Sequence, residues 1–336
     1  MAEPASSSSP ASSTTTNDPK LCIRTYRPTD REYVDYLFYS TYFALVPEGV
    51  KRKLMSPTTW IIWIAVYAYL LAIVPVLLHG MNMPSWTGIA LRIFFTVSWA
   101  LVGFSALFFL TDRFETVDQV ETVRLNDLSD PEIYYLNYNK YEQIKRVTFD
   151  KDTKPATELV RELLPEDERT PGHFWVLEVD GAPCGIVGLA CYKKPVMDAR
   201  PIMGPSWQRL GRWVCERYHL STPSLLVAKE SKPRVFAEPS PPHTATLQRM
   251  AVKYQFQGCG LGTVLINRAM VWANDHDIHT VNAVTNELQG TAAQFLQKHG
   301  FRKVKKVSSG WFGQYEAHWS CNVKTWMDAQ QQQQQQ

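Results

Sequence analysis

The chain has 336 residues, 45% hydrophobic and 20% charged, which allows one large domain or two modest ones. A net charge of +3, with Lys and Arg scattered along the chain, excludes the basic stripe of a nucleic-acid-binding protein. The six cysteines form no CxxC pair and lie at no zinc-ligand spacing with histidine, so free thiols in a reducing compartment and no bound metal are expected.

The first nineteen residues are Ser/Thr-rich, lack the apolar core of a secretory signal and read as a disordered tail. Residues 20–54 read as the first strand and helix of a soluble domain. Leu21 to Asp30 alternates like a strand. Asp30 to Pro47 reads as a helix, with Asp30 as N-cap and Tyr33, Leu37, Phe38 and Tyr42 at helical spacing.

Trp60 to Leu78 then holds nineteen residues without a charge, and Ile93 to Leu110 holds eighteen. At ~1.5 Å per residue each run approaches the ~30 Å of a bilayer core. Neither shows the polar face of a soluble amphipathic helix. The alternative is a helical hairpin buried in a soluble core. The link from His79 to Gly88 is short, so the two helices are antiparallel, and residues 55–112 read as a transmembrane hairpin. Lys51, Arg52 and Lys53 precede the pair, Arg113 follows it, and the link has no Lys or Arg. The positive-inside rule then places both termini in the cytosol.

Downstream, residues 113–325 read as the main soluble core. Asp118 to Arg124 is polar and amphipathic, and Asp130 to Phe149 reads as irregular. Gly172 to Lys194 is a hairpin turned by Asp180-Gly181. Residues 193–243 form a long insertion, with a helix expected around Trp207 to Tyr218 and then a Pro-rich exposed loop. Thr244 to Val252 is a strand whose apolar contacts are Leu247, Met250 and Val252. Thr263 to Asp277 is a helix with Val264, Leu265, Ala269 and Trp272 on or near one face. A strand at Ile278 to Thr285 follows, then a helix stopped by Gly300, and last strands at Phe301 to Val304 and Tyr315 to Cys321. Residues 326–336 end in seven glutamines and read as a disordered low-complexity tail.

The chemistry points to Gln257-Gly258-Cys259-Gly260-Leu261-Gly262, between a strand and a helix. A loop entering a helix presents amides without intrahelical partners, and the helix dipole adds positive potential there. An anion such as a pyrophosphate binds at such a place, and glycines let the backbone approach it. A P-loop is excluded because Gly262 is followed by Thr263 and Val264, with no lysine. A dinucleotide fingerprint would sit in the first βαβ unit, and this loop lies far from the N-terminus.

The stretch MAVKYQFQGCGLGTVLI resembles the acetyl-CoA motif of the GNAT superfamily of N-acetyltransferases, V-x-P-x-x-[RQ]-G-x-G-[IL]-[GA]. Val252, Gln257, Gly258, Gly260, Leu261 and Gly262 match in register, and Tyr254 stands where proline is usual. A second signature matches from Asn286 through AAQFLQKHGF to Phe301. The resemblance implies an α+β fold, the GNAT acetyltransferase fold, with a central mixed β-sheet flanked by helices and here an inserted two-helix transmembrane hairpin. It implies that the amides from Gln257 to Gly262, Cys259 included and with Thr263 next in the helix, hold the pyrophosphate of acetyl-CoA. The backbone of Met250 and Val252 would pair with the pantetheine arm. A β-bulge would aim the amide of Ala251 or Val252 at the thioester carbonyl, a contact of the oxyanion-hole type worth ~2.7–4 kcal/mol of barrier. Asn286 matches a position near the thioester.

A strand and helix, a hairpin and then this core resemble the endoplasmic-reticulum-anchored subgroup that acetylates cysteine S-conjugates and aspartate. The resemblance implies a membrane-anchored enzyme in the bilayer, facing the cytosol, that transfers acetyl directly to a small amine acceptor. Alternatives are a protein-lysine acetyltransferase at the same membrane and a catalytically weak CoA-binding module. The second has a motive: Leu296 occupies the position where many members keep the tyrosine that protonates the leaving thiolate. Tyr315 and His318 are the substitutes expected for that acid. Glu287 is the candidate base, acting through water on an amine whose pKa near ~10 leaves it mostly protonated at neutral pH.

Overall fold

The computed structural model of the chain describes residues 20–79, 84, 86–111, 116–140, 142–146, 156–200, 211–212, 215–226, 234–309 and 314–334. The N-terminal tail at 1–19, Arg113, most of the link after His79 and residues 201–210 of the long insertion, with the start of its expected helix, lie outside the described residues.

Strand β1 (Leu21–Thr25) leads into α1 (Arg31–Phe43) and α2 (Val46–Met55). Two long apolar helices follow, α3 (Pro57–Leu78) and α4 (Thr87–Leu110). Then come α5 (Val117–Leu125), α6 (Pro131–Tyr135) and a ribbon of β2 (Glu142–Arg146) with β3 (Ala156–Val160). Strands β4 (His173–Val179) and β5 (Ala182–Ala190) precede a short ribbon of β6 (Val196–Met197) and β7 (Val235–Ala237). The chain continues through β8 (Thr244–Val252), α7 (Leu261–Asp275), β9 (Thr280–Asn286) and α8 (Gly290–Lys298). It ends in β10 (Arg302–Ser309), β11 (Gln314–Asn322) and α9 (Val323–Gln334).

Seven strands form one mixed sheet in the order β1-β4-β5-β8-β9-β11-β10. Neighbours are antiparallel except β8 and β9, which run parallel. Helices α7, α8 and α9 cover one face, where Leu265, Ile266, Ala269, Met270 and Ala273 of α7 are buried at the spacing of a helical stripe. Helices α1, α5 and α6 cover the other, with Leu37, Phe38, Val120 and Tyr135 against Phe174 and Ile186. Strand β5 is buried along almost its whole length because both of its faces are covered. The β4–β5 turn takes positive φ at Asp180 (52°) and Gly181 (79°), the conformation that a two-residue hairpin with this twist needs.

Several elements differ from expectation. The helix begun after Asp30 stops at Phe43, and α2 restarts at Val46 with Pro47 in its first turn. The Asp30 carboxylate is not a helix cap; it accepts Arg24 Nη1 and Nη2 at 2.6 and 2.8 Å and the Arg27 amide at 2.9 Å. The segment read as irregular holds α6 and β2. The end of the chain is helical as far as Gln334, because Val323 and Trp326 of α9 are buried in the core beside α7.

Helices α3 and α4 are long and apolar enough to cross a membrane. They are not a core hairpin: only 11% and 6% of their apolar windows are buried. They pack on each other through Trp63, whose ring lies where a Cβ on Gly103 would come within 2.4 Å, and through Tyr67 Oη and Thr96 Oγ1 at 2.9 Å. At their base α2 is a wedge. Lys53 Nζ donates to Thr111 Oγ1 at 3.0 Å, and Val46 and Val50 pack with Leu107. Gly49 has room for hydrogen alone, since a Cβ would sit 2.6 Å from Thr111 Cγ2 and 2.9 Å from Leu288 Cδ2. That wedge joins the apolar hairpin to the loop between β9 and α8.

Candidate active site

Strands β8 and β9 pair only from Thr244–Thr280 to Leu247–Ala283. Beyond that point β8 continues along β5 to Val252, and β9 continues along β11 to Asn286. The two strands part and leave a wedge edged by backbone. A bulge on β8 accompanies the parting. Gln248 pairs with Gly188 and Ala251 with Ile186, so Arg249 and Met250 both oppose Val187. Arg249 takes φ +53°, and the strand resumes with its alternation shifted by one.

The backbone direction after the bulge follows from one hydrogen bond. The Lys253 amide donates to Cys184 O on β5 at 2.8 Å. Strand alternation turns the Ala251 amide the same way and the Met250 and Val252 amides toward the wedge. Of the two residues expected to donate there, alternation therefore selects Val252, while Ala251 is buried against the α1 side. The Val252 carbonyl, also on the wedge side, accepts Gln257 Nε2 at 2.9 Å.

The glycine loop lies at the mouth of this wedge. The Gln257 amide is already used, donating to Tyr254 O at 3.2 Å, and the Thr263 amide donates to Gly260 O at 2.9 Å. Between them, the amides from Gly258 to Gly262 have no acceptor among the described residues. Gly258 and Gly260 sit at φ +83° and +82°, and a Cβ on either would meet nothing within 4 Å, so the loop is open on that side. Gly262 is a glycine for packing: a Cβ would stand 3.2 Å from Phe295 Cε2 and 3.3 Å from Met250 Cε. Leu261 is buried and Cys259 is an exposed free thiol. The Thr263 hydroxyl is within 3.1 Å of His299 Nε2, which occupies it within the protein. Tyr254, where proline is usual, is exposed in the turn Tyr254–Phe256. A pyrophosphate fits this cradle of free amides at a helix start, and an extended pantetheine arm fits the bare edge of β8. Bound acetyl-CoA supplies an activated acetyl group; the chain supplies binding and orientation.

The other expected site residues fall around the β9–α8 loop. Asn286 is engaged at both ends of its side chain: Nδ2 donates to Gln119 Oε1 at 2.8 Å, and Oδ1 accepts the Leu288 amide at 3.1 Å. Glu287 Oε2 accepts the Tyr315 amide at 3.2 Å, and its carbonyl accepts Arg52 Nη1 of α2 at 2.9 Å. The Tyr315 ring lies between Arg52 and Lys306, 4.8 and 3.9 Å from its centre. Glu287 and Tyr315 thus come together. His318 stands three positions along β11, on the opposite face of the sheet, paired with Val284 and Lys305. Leu296 is a core residue and offers no proton.

A buried polar cluster beside the bulge was not anticipated. Arg249 Nε and Nη2 donate to Asp127 Oδ2 and Oδ1 at 2.6 and 3.1 Å, and Asp127 is fully buried. Tyr135 Oη donates to Asp127 Oδ2 at 2.5 Å and to Gln248 Oε1 at 3.3 Å. Burial, then the Asp127 charge, pushes the Tyr135 hydroxyl well above its ordinary pKa. Burial opposes the Arg249 charge, but Asp127 outweighs it and the guanidinium pKa is raised. On α1, Tyr42 Oη accepts Gln289 Nε2 at 2.9 Å, and burial raises its pKa too. The visible signal was a charged residue, Arg249, in the middle of an apolar strand; nothing near Asp127 in the chain marked it as the partner.

Residues 138–301 match the model of the Acetyltransferase (GNAT) family. No curated protein matches the chain. Among solved structures, a GNAT-family acetyltransferase from Staphylococcus aureus Mu50 aligns at 10% identity over 90% of this chain and 99% of that one, with a TM-score of 0.40. The yncA protein of Salmonella typhimurium, solved with its cofactor acetyl-CoA, aligns at 13% identity over 45% and 65%, with a TM-score of 0.28. The Escherichia coli ribosomal-protein-S18-alanine N-acetyltransferase aligns at 10% identity over 47% and 72%, also at 0.28. The family match spans β8, the glycine loop and α8, where the wedge and the free amides lie, so the chain carries a GNAT-family acetyltransferase domain and is an N-acetyltransferase that uses acetyl-CoA.

Proposed function

We propose that this enzyme is anchored in a membrane by α3 and α4, faces the cytosol, and moves acetyl to the free amine of a small amino-acid-type or conjugate acceptor. One observation carries the reading: α2 touches the base of the apolar hairpin through Lys53 and the edge of the acyl-transfer site through Arg52. The order of elements, a strand and helices before the hairpin and the sheet after it, supports the endoplasmic-reticulum subgroup. In this reading the amides of Gly258 to Gly262 hold the pyrophosphate, and the Met250 and Val252 amides face the pantetheine arm and the thioester oxygen. Tyr42 takes the place of the missing tyrosine as proton donor to the leaving thiolate, its hydroxyl kept protonated by burial. Glu287 keeps one carboxylate oxygen free of the Tyr315 contact and receives the amine proton through water.

The test is CoA release by the purified full chain in detergent, with acetyl-CoA and a panel of amino acids, cysteine S-conjugates, polyamines and lysine peptides. Release with small amines and not with lysine peptides is expected. Release with peptides alone would replace this acceptor with protein lysine. The anchor is tested by alkaline carbonate extraction of membranes: the chain stays in the pellet, and recovery in the supernatant would remove the transmembrane reading.

A further inference from the structure

At the closed end of the β8–β9 pair, remote from the wedge, three side chains converge. His243 immediately precedes β8, and Asp277 and His279 lie between α7 and β9. Their ligand atoms all lie within 4.8 Å of one another. His243 Nδ1 is 3.0 Å from Asp277 Oδ2, and His279 Nδ1 is 3.6 Å from Asp277 Oδ1. The imidazoles stack with centroids 4.8 Å apart and planes at 26°, so both present a nitrogen to the same carboxylate.

Two donors bound at ~2.0–2.1 Å from a tetrahedral zinc ion lie roughly 3.3 Å apart. The two separations here fall on either side of that value. The backbone already holds the donors in place. The amides of His279 and Thr280 both donate to His243 O, at 2.8 and 3.2 Å, and the Val323 amide donates to His279 O at 3.0 Å. All three side chains are more than half exposed, so an ion reaches them without unfolding. His243 Nδ1 is also 2.9 Å from the Asp277 carbonyl oxygen. An ion at Nδ1 takes the ring as the tautomer that carries its hydrogen on Nε2 and replaces this contact.

We propose that His243, Asp277 and His279 form a transition-metal site of zinc type, with water at the fourth position. Two imidazoles and one carboxylate suit zinc, whereas calcium and magnesium take mainly oxygen ligands. The ion ties the residue before β8 to the turn before β9. Nine residue steps separate His243 from Val252, ~30 Å of extended strand. The site therefore fixes the end at which the two strands stay paired and takes no part in acetyl transfer.

The experiment uses the full chain in detergent, stripped with chelator, in a Cys22→Ser, Cys259→Ser background that removes the two exposed thiols. Zinc chloride is titrated by calorimetry, and cobalt chloride by visible absorption. Expected are one zinc per chain with micromolar or tighter affinity, a tetrahedral cobalt spectrum, and a zinc-dependent rise in Tm. His243→Ala and His279→Gln each weaken zinc binding by more than about tenfold and abolish the Tm rise. Zinc affinity in the millimolar range, an octahedral cobalt spectrum, or binding unchanged in both variants would each overturn the site. The cobalt spectrum is read on unsubstituted His243 and His279, so misfolding of a variant does not protect the proposal.

Discussion

Arg249 and Asp127, 122 residues apart in the chain, meet in a two-point buried ion pair at the bulge of β8. Removing one charge leaves the other stranded away from water. Asp127→Ala is expected to cost about 3–5 kcal/mol, read by chemical denaturation of the full chain. The double variant Asp127→Leu, Arg249→Met is expected to recover most of that loss. Equal stabilities for the single and double variants would show that the pair is not coupled.

The loop amides give a sharper test. Gly260 holds φ +82°, so any side chain there is strained, and a carboxylate would stand before the free amides. Gly260→Asp is expected to abolish acetyl-CoA binding in calorimetry with a wild-type near-ultraviolet spectrum. Binding within threefold of wild type, roughly 0.65 kcal/mol, would move the pyrophosphate elsewhere.

Tyr42→Phe removes the hydroxyl proposed above as the proton donor in place of the tyrosine missing at Leu296. The expected loss in kcat is ~10²-fold with little change in KM for acetyl-CoA. Burial raises the Tyr42 pKa, so the proton donor stays competent above its ordinary pKa of 10.0. The alkaline limb of the kcat profile is therefore not set by an unperturbed tyrosine, and Tyr42→Phe leaves its position unchanged.

How much of this was legible in the sequence depended on distance along the chain. The glycine loop, the Asp180-Gly181 turn and the two apolar helices depend on neighbours within one or two turns, and all three appear where the pattern puts them. The Tyr42–Gln289 contact spans 247 residues and the Arg249–Asp127 pair 122, and no local periodicity encodes either. Composition misled at the C-terminus. A glutamine run looks like a tail, yet Val323 and Trp326 dock the start of α9 and let the helix propagate into it.

His173 supplies a pH test of stability. It lies between the rings of Trp175 and Trp272, and burial lowers its pKa from 6.5 to about 4. The unfolded chain therefore takes up this proton first. Stability is fully present above the unfolded value and is lost as pH falls from 6.5 toward 4. His173→Asn is expected to flatten that part of the denaturation midpoint against pH. An unchanged slope would assign the acid sensitivity to other groups.

Lys53 and Thr111 are in contact, so residues 57–110 leave the domain and return to it at one place. The fold has a seam there. Ser56 and Thr111 can be rejoined there by a flexible linker, each residue of which reaches ~3.3–3.6 Å. Such a chain gives up Leu107 and Trp63 from the small core under α2 and keeps every residue of the wedge, the loop and the Arg249 cluster. The shortened chain is expected to keep acetyl transfer without detergent, and its turnover can be compared with that of the intact chain.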